Sequence, residues 1–213
     1  MAPSKLTQRQ LDIIDSAIEL IADSGIQNLT IKNLAKRVGV TEGALYRHFG
    51  SKREILLAIL EVFGHSNAEV FERIRQQEAS PLRQLERVFL DHFRQFESKP
   101  ALAAVIFSEE IFQNDSVLAD TMIQVVQKSL DEVEKIVEAG QKTGEIRADV
   151  PGEQLALVLL GSLRFQVVQW HLSGYNFSLE KAGARLWHTL RSMVVPQESN
   201  ASSKETELEV ESL

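Results

Sequence analysis

The sequence predicts an all-α protein: an N-terminal three-helix helix-turn-helix domain and a C-terminal helical bundle. Three observations lead there. Apolar residues recur at helical spacing over most of the chain, with almost no strand-like alternation. Residues that open and close helices, Ser, Thr or Asp on one side and Gly or Pro on the other, punctuate those runs. The segment Thr30 to Phe49, TIKNLAKRVGVTEGALYRHF, reads as a short helix, a Gly-containing turn and a second short helix.

The first helix is announced by Thr7 and Gln10, a capping box ahead of the stripe Leu11, Ile14, Ile18 and Ile21, and Gly25 closes it. The second runs from about Ile31 to Val38, where Ile31, Leu34, Ala35 and Val38 share one face and Thr30 is placed to cap. Gly39 follows, where a left-handed turn is cheapest without a Cβ, and Val40 plugs the corner. Thr41 caps the next helix, in which Ala44, Leu45 and Phe49 point inward. Glu42, Gly43, Tyr46, Arg47 and His48 are left on or beside the outer face. Its slim N-terminal end, Thr41 and Gly43, lets backbone approach the floor of a major groove roughly 12 Å wide.

Ser51-Lys52-Arg53-Glu54 is a second capping box, opening a long helix from Ser51 to about Glu78 through Ile55, Leu56, Ile59, Leu60 and Phe63, with Gly64 as a weak spot. Lys52 beside that positive helix end suits a phosphate oxygen. Ser80-Pro81 restarts a helix with the stripe Leu82, Leu85, Phe89 and Phe93, and Lys99-Pro100 ends it. A shorter piece from Ala101 to Phe112 and a longer one from about Asp115 to Ala139 follow, with Gly140 to Asp149 read as a polar connection. The helix from Asp149-Val150-Pro151 to about His171 is apolar around most of its circumference, and Ser178 to Val195 is the last.

These elements divide the chain into a flexible N-terminus (1–6), a helix-turn-helix domain (7–52, motif 30–49), a helical regulatory and dimerisation domain (53–196) and a disordered acidic tail (197–213). With 213 residues, 44% of them hydrophobic, and no run of about eighteen apolar residues, a soluble chain without a membrane span is expected. MAPSKLTQRQ lacks the apolar core of a secretion signal, so a cytoplasmic location is the default. There is no Cys, no Gly-rich phosphate loop and no metal-spaced His cluster. No catalytic residue, metal or cofactor is therefore nominated, and an enzyme is disfavoured. The net charge of −7 argues against DNA only globally, because Lys32, Lys36, Arg37, Arg47, Lys52 and Arg53 face only Glu42 and Glu54 across residues 28–55. Phosphate contacts act over about 8 Å at physiological salt, so the local balance decides.

Residues 8–60 resemble the DNA-binding domain of the TetR/AcrR family of bacterial transcriptional regulators. The resemblance rests on Gly25, Leu29-Thr30-Ile31, Leu34-Ala35, Val38-Gly39-Val40, Ala44-Leu45-Tyr46, His48-Phe49 and Ser51-Lys52 in that order and spacing. It implies that Thr30, Tyr46, His48 and Lys52 fall where the family holds phosphates, and Thr41, Glu42, Gly43 and Arg47 nearer the bases. Thr30 and Thr41 serve equally as caps, and Glu42, a carboxylate, departs from what DNA favours unless it accepts from cytosine or anchors Arg47.

The resemblance also favours a homodimer on a double-stranded palindromic operator, with two reading helices about 34 Å apart. Leu157, Gly161, Arg164, Val168, Ala182, Leu186 and Leu190 on the last two helices are its candidate interface, the alternative being a buried intrachain pair. The expected function is repression relieved by a small-molecule effector. Phe89, His92, Phe93, Phe107, Glu110, Met122, Arg164, Gln166 and Trp170 mix aromatic and polar groups on helices expected to be largely buried, and are the candidate ligand wall. The alternative is a DNA-bound interaction protein of the same fold, regulated by a protein partner.

Overall fold

The computed structural model describes residues 6–113 and 115–197. The predicted acidic tail and flexible N-terminus lie almost wholly outside them. Among the described residues every regular element is helical.

Helix α1, Gln8–Ser24, opens on the predicted box: Gln10 N donates to Thr7 Oγ1 at 3.3 Å and Thr7 N to Gln10 Oε1 at 3.0 Å. Gly25, at φ 82°, ends it, and a 3-10 turn at Ile26–Asn28 that periodicity did not signal connects onward. α2, Ile31–Val38, and α3, Glu42–Tyr46, flank Gly39, whose φ of 75° is the left-handed turn that favours glycine. Leu34 and Leu45 are wholly enclosed, which fixes α2 and α3 on α1.

α4, Lys52–Gln77, is one unbroken helix of 26 residues, about 39 Å long at 1.5 Å per residue. Its start departs from the predicted box. Ser51 Oγ accepts from Glu54 N, but the Glu54 carboxylate takes the amide of Gly50 at 2.7 Å rather than that of Ser51. α5, Pro81–Ser98, begins with proline in its first turn, where no N–H is missed, and is capped by Ser80.

The piece expected between Ala101 and Phe112 is two helices, α6 at Pro100–Ile106 and α7 at Glu109–Gln113. The break falls at Phe107, whose ring turns against Phe96 at 5.4 Å. α8, Ser116–Thr143, overruns its predicted end, because Gly140 is not a stop but a point of close approach. Ile146 folds back to donate its amide to Gly140 O at 3.0 Å, and a Cβ at Gly140 would lie 2.5 Å from Ile146 Cδ1. Gly144, at φ 77°, ends the helix instead. α9, Gly152–Leu172, and α10, Leu179–Val194, complete the chain.

α5 is the axle of the body, packed against α4, α8, α9 and α10 with Leu85, Val88, Phe89, His92, Phe93 and Phe96 buried. Phe89 meets Trp187 at 5.3 Å between ring centroids. By length and composition α9 is apolar enough to cross a membrane, at mean hydropathy 1.3, although about a third of that window (33%) is buried in the fold.

Gly183 of α10 lies on the Phe93 ring so closely that an added Cβ would stand 2.0 Å from Phe93 Cδ2. Phe93 is itself fully enclosed and cannot retreat. Gly183→Ala gains helix propensity of about 1 kcal/mol, yet overpacking of about 1–3 kcal/mol opposes it, and overpacking wins because the obstructing atoms are a locked ring. The variant is expected to unfold at lower urea than the wild type, with an unchanged slope.

Candidate nucleic-acid interface

The reading helix is held by a few strong constraints. Thr41 Oγ1 accepts from Ala44 N at 3.1 Å and Thr30 Oγ1 from Asn33 N at 3.1 Å, so each hydroxyl caps its helix and keeps its own proton free to donate. Leu45 and Phe49 are buried, and Gln10 of α1 donates to the His48 carbonyl at 3.3 Å. What remains outside is Thr41, Glu42, Gly43, Tyr46 and Arg47, with Tyr46 53% exposed and His48 half-buried. A Cβ at Gly43 would meet nothing within 4 Å, so its surface is open to a duplex. Glu42 stands in the first turn of α3, where the helix end favours a carboxylate without any base contact.

The basic patch is thinner than the sequence suggested. Arg37 is clamped to α1 by Asp23 at 2.8 Å and Glu19 at 3.0 Å, and these hydrogen bonds hold its pKa above the ordinary arginine value. Lys52, expected to face a phosphate, turns inward: Nζ donates to the carbonyl of Ile26 at 2.7 Å and pins the 3-10 turn to the start of α4. Burial lowers its pKa, opposed by the charge of Glu110. Arg53 pairs with Asp115 at 2.5 Å. Lys32, Lys36 and Arg47 are exposed and have no ion-pair partner among the described residues.

Below this head lies a polar seam to the body, around a cleft of about 470 Å³ lined by Gln27, Lys52, Arg53, Glu110 and Asp115. Gln27 donates to Glu110, and Asp115 both holds Arg53 and caps α8 by accepting from Val117 N and Leu118 N. The hydrophobic core continues without a gap from α1 to α10, so the head is not on a loose linker.

The residues expected to line a ligand cavity do not converge. Phe89, Phe93 and Met122 are enclosed core. Trp170 donates its indole N–H to Phe177 O at 2.9 Å, and Gln166 bonds Gln169 at 3.3 Å. Glu110 and Arg164 are exposed rather than interior; the Arg164 guanidinium lies 5.0 Å from the centroid of the half-buried Phe107 ring. His92 is buried, with Nδ1 bonded to the Val88 carbonyl at 2.8 Å. Of the expected dimer residues, Leu157, Gly161 and Arg164 are exposed and Val168 and Leu186 half-buried. Ala182 and Leu190 face the chain's own core, at 6% and 4% exposure, because α10 turns that side to α5. Val158, Phe165 and Leu172 are exposed apolar residues that helical periodicity did not separate from the buried ones, since α9 is apolar on all sides, and Met193 of α10 is exposed as well.

Residues 13–59 match the model for bacterial regulatory proteins of the tetR family, and residues 63–192 match that for the C-terminal region of YsiA-like proteins. The chain belongs to the TetR family of transcriptional regulators. The family is one of DNA-binding regulators rather than enzymes. Its similar proteins include the fatty acid metabolism regulator protein of Bacillus subtilis, 23% identical over 80% of this chain and 88% of that protein. The transcriptional repressor KstR2 of Mycolicibacterium smegmatis is 24% identical over 85% and 88%, and the nucleoid occlusion factor SlmA of Vibrio cholerae 25% identical over 83% and 91%. Among solved structures, FadR of Bacillus subtilis in complex with stearoyl-CoA superposes at TM-score 0.74, covering 85% of this chain and 97% of its own at 23% identity, which shows the shared fold.

In this TetR-family chain the Asp115 carboxyl is pushed up by partial burial. The Arg53 hydrogen bond, the Leu118 and Val117 amides and the Arg53 charge outweigh this and hold it below the ordinary carboxylate value. A depressed folded pKa adds stability above the unfolded pKa, and that stability is lost as pH falls through the folded value. Asp115→Asn keeps a capping oxygen but not the charge. The urea midpoint of the wild type is expected to exceed that of the variant at neutral pH, and the gap to close as pH falls through the lowered pKa of Asp115.

Proposed function

We propose that the protein is a homodimeric, sequence-specific DNA-binding repressor, released from a palindromic operator in the bacterial cytoplasm when a small-molecule effector binds the helical body. One observation carries this reading: α3 exposes Thr41, Gly43, Tyr46 and Arg47 while Leu45 and Phe49 anchor its other side. Tyr46 is a large aromatic side chain left 53% exposed on that face, where a helix serving only the core would bury it. The thinned basic patch makes Arg47, Lys32 and Lys36 the main cations for the duplex, with Thr30 and Thr41 hydroxyls, Gly43 and Tyr46 as neutral contacts and His48 beside them. Lys52 acts by holding the turn at Ile26 and Glu42 by completing the start of α3.

Pairing is supported by the outer face of α9. Leu157, Val158, Phe165 and Leu172 are 54%, 49%, 70% and 79% exposed, a stripe too apolar to face water alone. A second copy covers it, with Gly161 open for close approach and Val168 and Leu186 at its margin. Release requires an effector that prefers one spacing of the heads; moving the population almost completely needs about 5.5 kcal/mol of differential binding. The repressor sign and the effector switch draw support from the similarity to KstR2, described as a repressor, and to FadR, solved with stearoyl-CoA. Similarity to SlmA favours a second reading, in which a protein partner acts on the DNA-bound dimer.

Selection of bound fragments from genomic DNA, followed by fluorescence anisotropy on the recovered site, tests the reading. Arg47→Ala is expected to cost about 1–3 kcal/mol and relax specificity where the arginine reads a base, or to reduce the salt slope by about 1 where it holds a phosphate. Gly161→Arg is expected to leave helicity unchanged, shift sedimentation to the monomer and abolish operator binding. An operator bound equally well by both variants contradicts the reading.

A further inference from the structure

The reading helix is short. α3 spans five residues, Glu42–Tyr46, and packs mainly on α2, so its aim toward a duplex depends on how its two ends are held. The Thr41 hydroxyl holds the first end. At the other, the amides of His48 and Phe49 both donate to Leu45 O, at 2.9 and 3.1 Å, which curls Arg47 and His48 into a turn. Among the described residues no backbone amide donates to the His48 carbonyl. Gln10 of α1 meets it instead, its Nε2 donating at 3.3 Å across 38 positions of sequence. The segment leaving α3 is therefore pinned by side chains of two other helices, Gln10 on His48 O and the Glu54 carboxylate on Gly50 N at 2.7 Å.

The far side of the Gln10 amide is committed as well. Its Oε1 accepts from Thr7 N at 3.0 Å and from the Thr7 hydroxyl at 3.1 Å, completing the box that opens α1. These partners orient the amide, with oxygen toward two donors and nitrogen toward a carbonyl. A capping box is served by Glu as well as by Gln, and the positive end of a helix favours the carboxylate. Yet the first turn of α1 holds no acid. A carboxylate at Gln10 has no proton for the His48 carbonyl and repels it, so the bond to His48 accounts for the amide.

We propose that Gln10 is a positioning residue for sequence reading, acting through His48 to fix the turn after α3 and so to aim Tyr46 and Arg47 at the groove. This role rests on the DNA-binding reading and deepens it. A turn held in place beforehand loses less freedom when its side chains engage bases. Phosphates are met by any cation that reaches them, whereas base edges demand register, so loosening the turn costs discrimination more than general affinity.

The full chain and three variants test the role by NMR, by urea unfolding, and by fluorescence anisotropy on the selected operator and a scrambled duplex at one salt concentration. Gln10→Glu keeps the box and loses the donor. It is expected to unfold near the wild-type urea midpoint and to move the amide resonance of Phe49, whose peptide plane contains the His48 carbonyl. Its operator-to-scrambled affinity ratio should fall about threefold to tenfold, the worth of one hydrogen bond. Thr7→Ala removes the cap and keeps the donor, so its midpoint should fall while resonance and ratio stay near the wild type. Added negative charge weakens binding to both duplexes alike and cancels in the ratio. The uncharged Gln10→Met should therefore lower the ratio as far as Gln10→Glu does.

An unmoved Phe49 resonance or an undiminished ratio in Gln10→Glu overturns the proposal, as does a ratio that falls equally in Thr7→Ala. The wild type separates the two levels. If it prefers no sequence, the regulator reading falls and this role with it, whereas a selective wild type matched by an equally selective Gln10→Glu sinks this role alone.

Discussion

A single helix, α4, joins the reading head to the body. Its N-terminal half supplies Ile55, Leu56, Ala58, Ile59 and Leu60 to the core beneath the reading head, and its C-terminal half supplies Phe71 and Ile74 to the body. A domain boundary at residue 52 therefore falls at the first residue of a continuous helix rather than in a linker. The hydrogen-bonded ladder of α4 runs unbroken from the head to the body, with Asn67 about 22 Å from Lys52 at 1.5 Å per residue. The Arg53–Asp115 pair and the Gln27–Glu110 contact add a second polar tie from the head to α7 and α8. Surface ion pairs are individually weak, about 0–1 kcal/mol, which lets this tie exchange partners without unfolding anything.

Charge is distributed with the same economy. The chain carries an excess of acid, and the head is its basic exception, yet Arg37, Lys52 and Arg53 are used to brace the head itself. The cations left for a duplex are few, which suits an interface that relies on capped helix ends, hydroxyls and an exposed tyrosine for register. Non-specific coating of DNA scales with the number of neutralised phosphates and is correspondingly discouraged.

Helix starts were legible because they are local: Thr7, Thr30, Thr41, Ser51, Ser80 and Asp115 act within three residues of themselves, and spacing alone reveals them. Gly25 and Gly39 were legible as stops for the same reason. Gly140 misled because a glycine ending a helix and a glycine admitting a neighbour look identical until Ile146 is seen to fold back on it. The division of α7 from α6 depends on Phe107 finding Phe96, and the inward turn of Lys52 depends on the carbonyl of Ile26, both tertiary events. On α9 the apolar residues surround the helix, so period carries no information about which face is covered. That is why Phe165 and Leu172, the most exposed of the large apolar residues of α9, were not among the candidate interface residues; Ala182 and Leu190, on α10, were assigned outward because only the packing of α10 on α5 shows which of its sides is covered.

The central claim is that two copies of the chain present α3 to one face of a duplex. Because the sequence contains no Cys, a single Ala22→Cys substitution at an exposed position of α1 accepts one spin label per protomer, and the distance between labels reads the spacing of the heads. On its selected operator the account predicts one narrow distribution within about 10 Å of the 34 Å groove repeat. Absence of any dipolar coupling, or a distance unchanged in breadth and position between free and DNA-bound protein and far from that repeat, contradicts it.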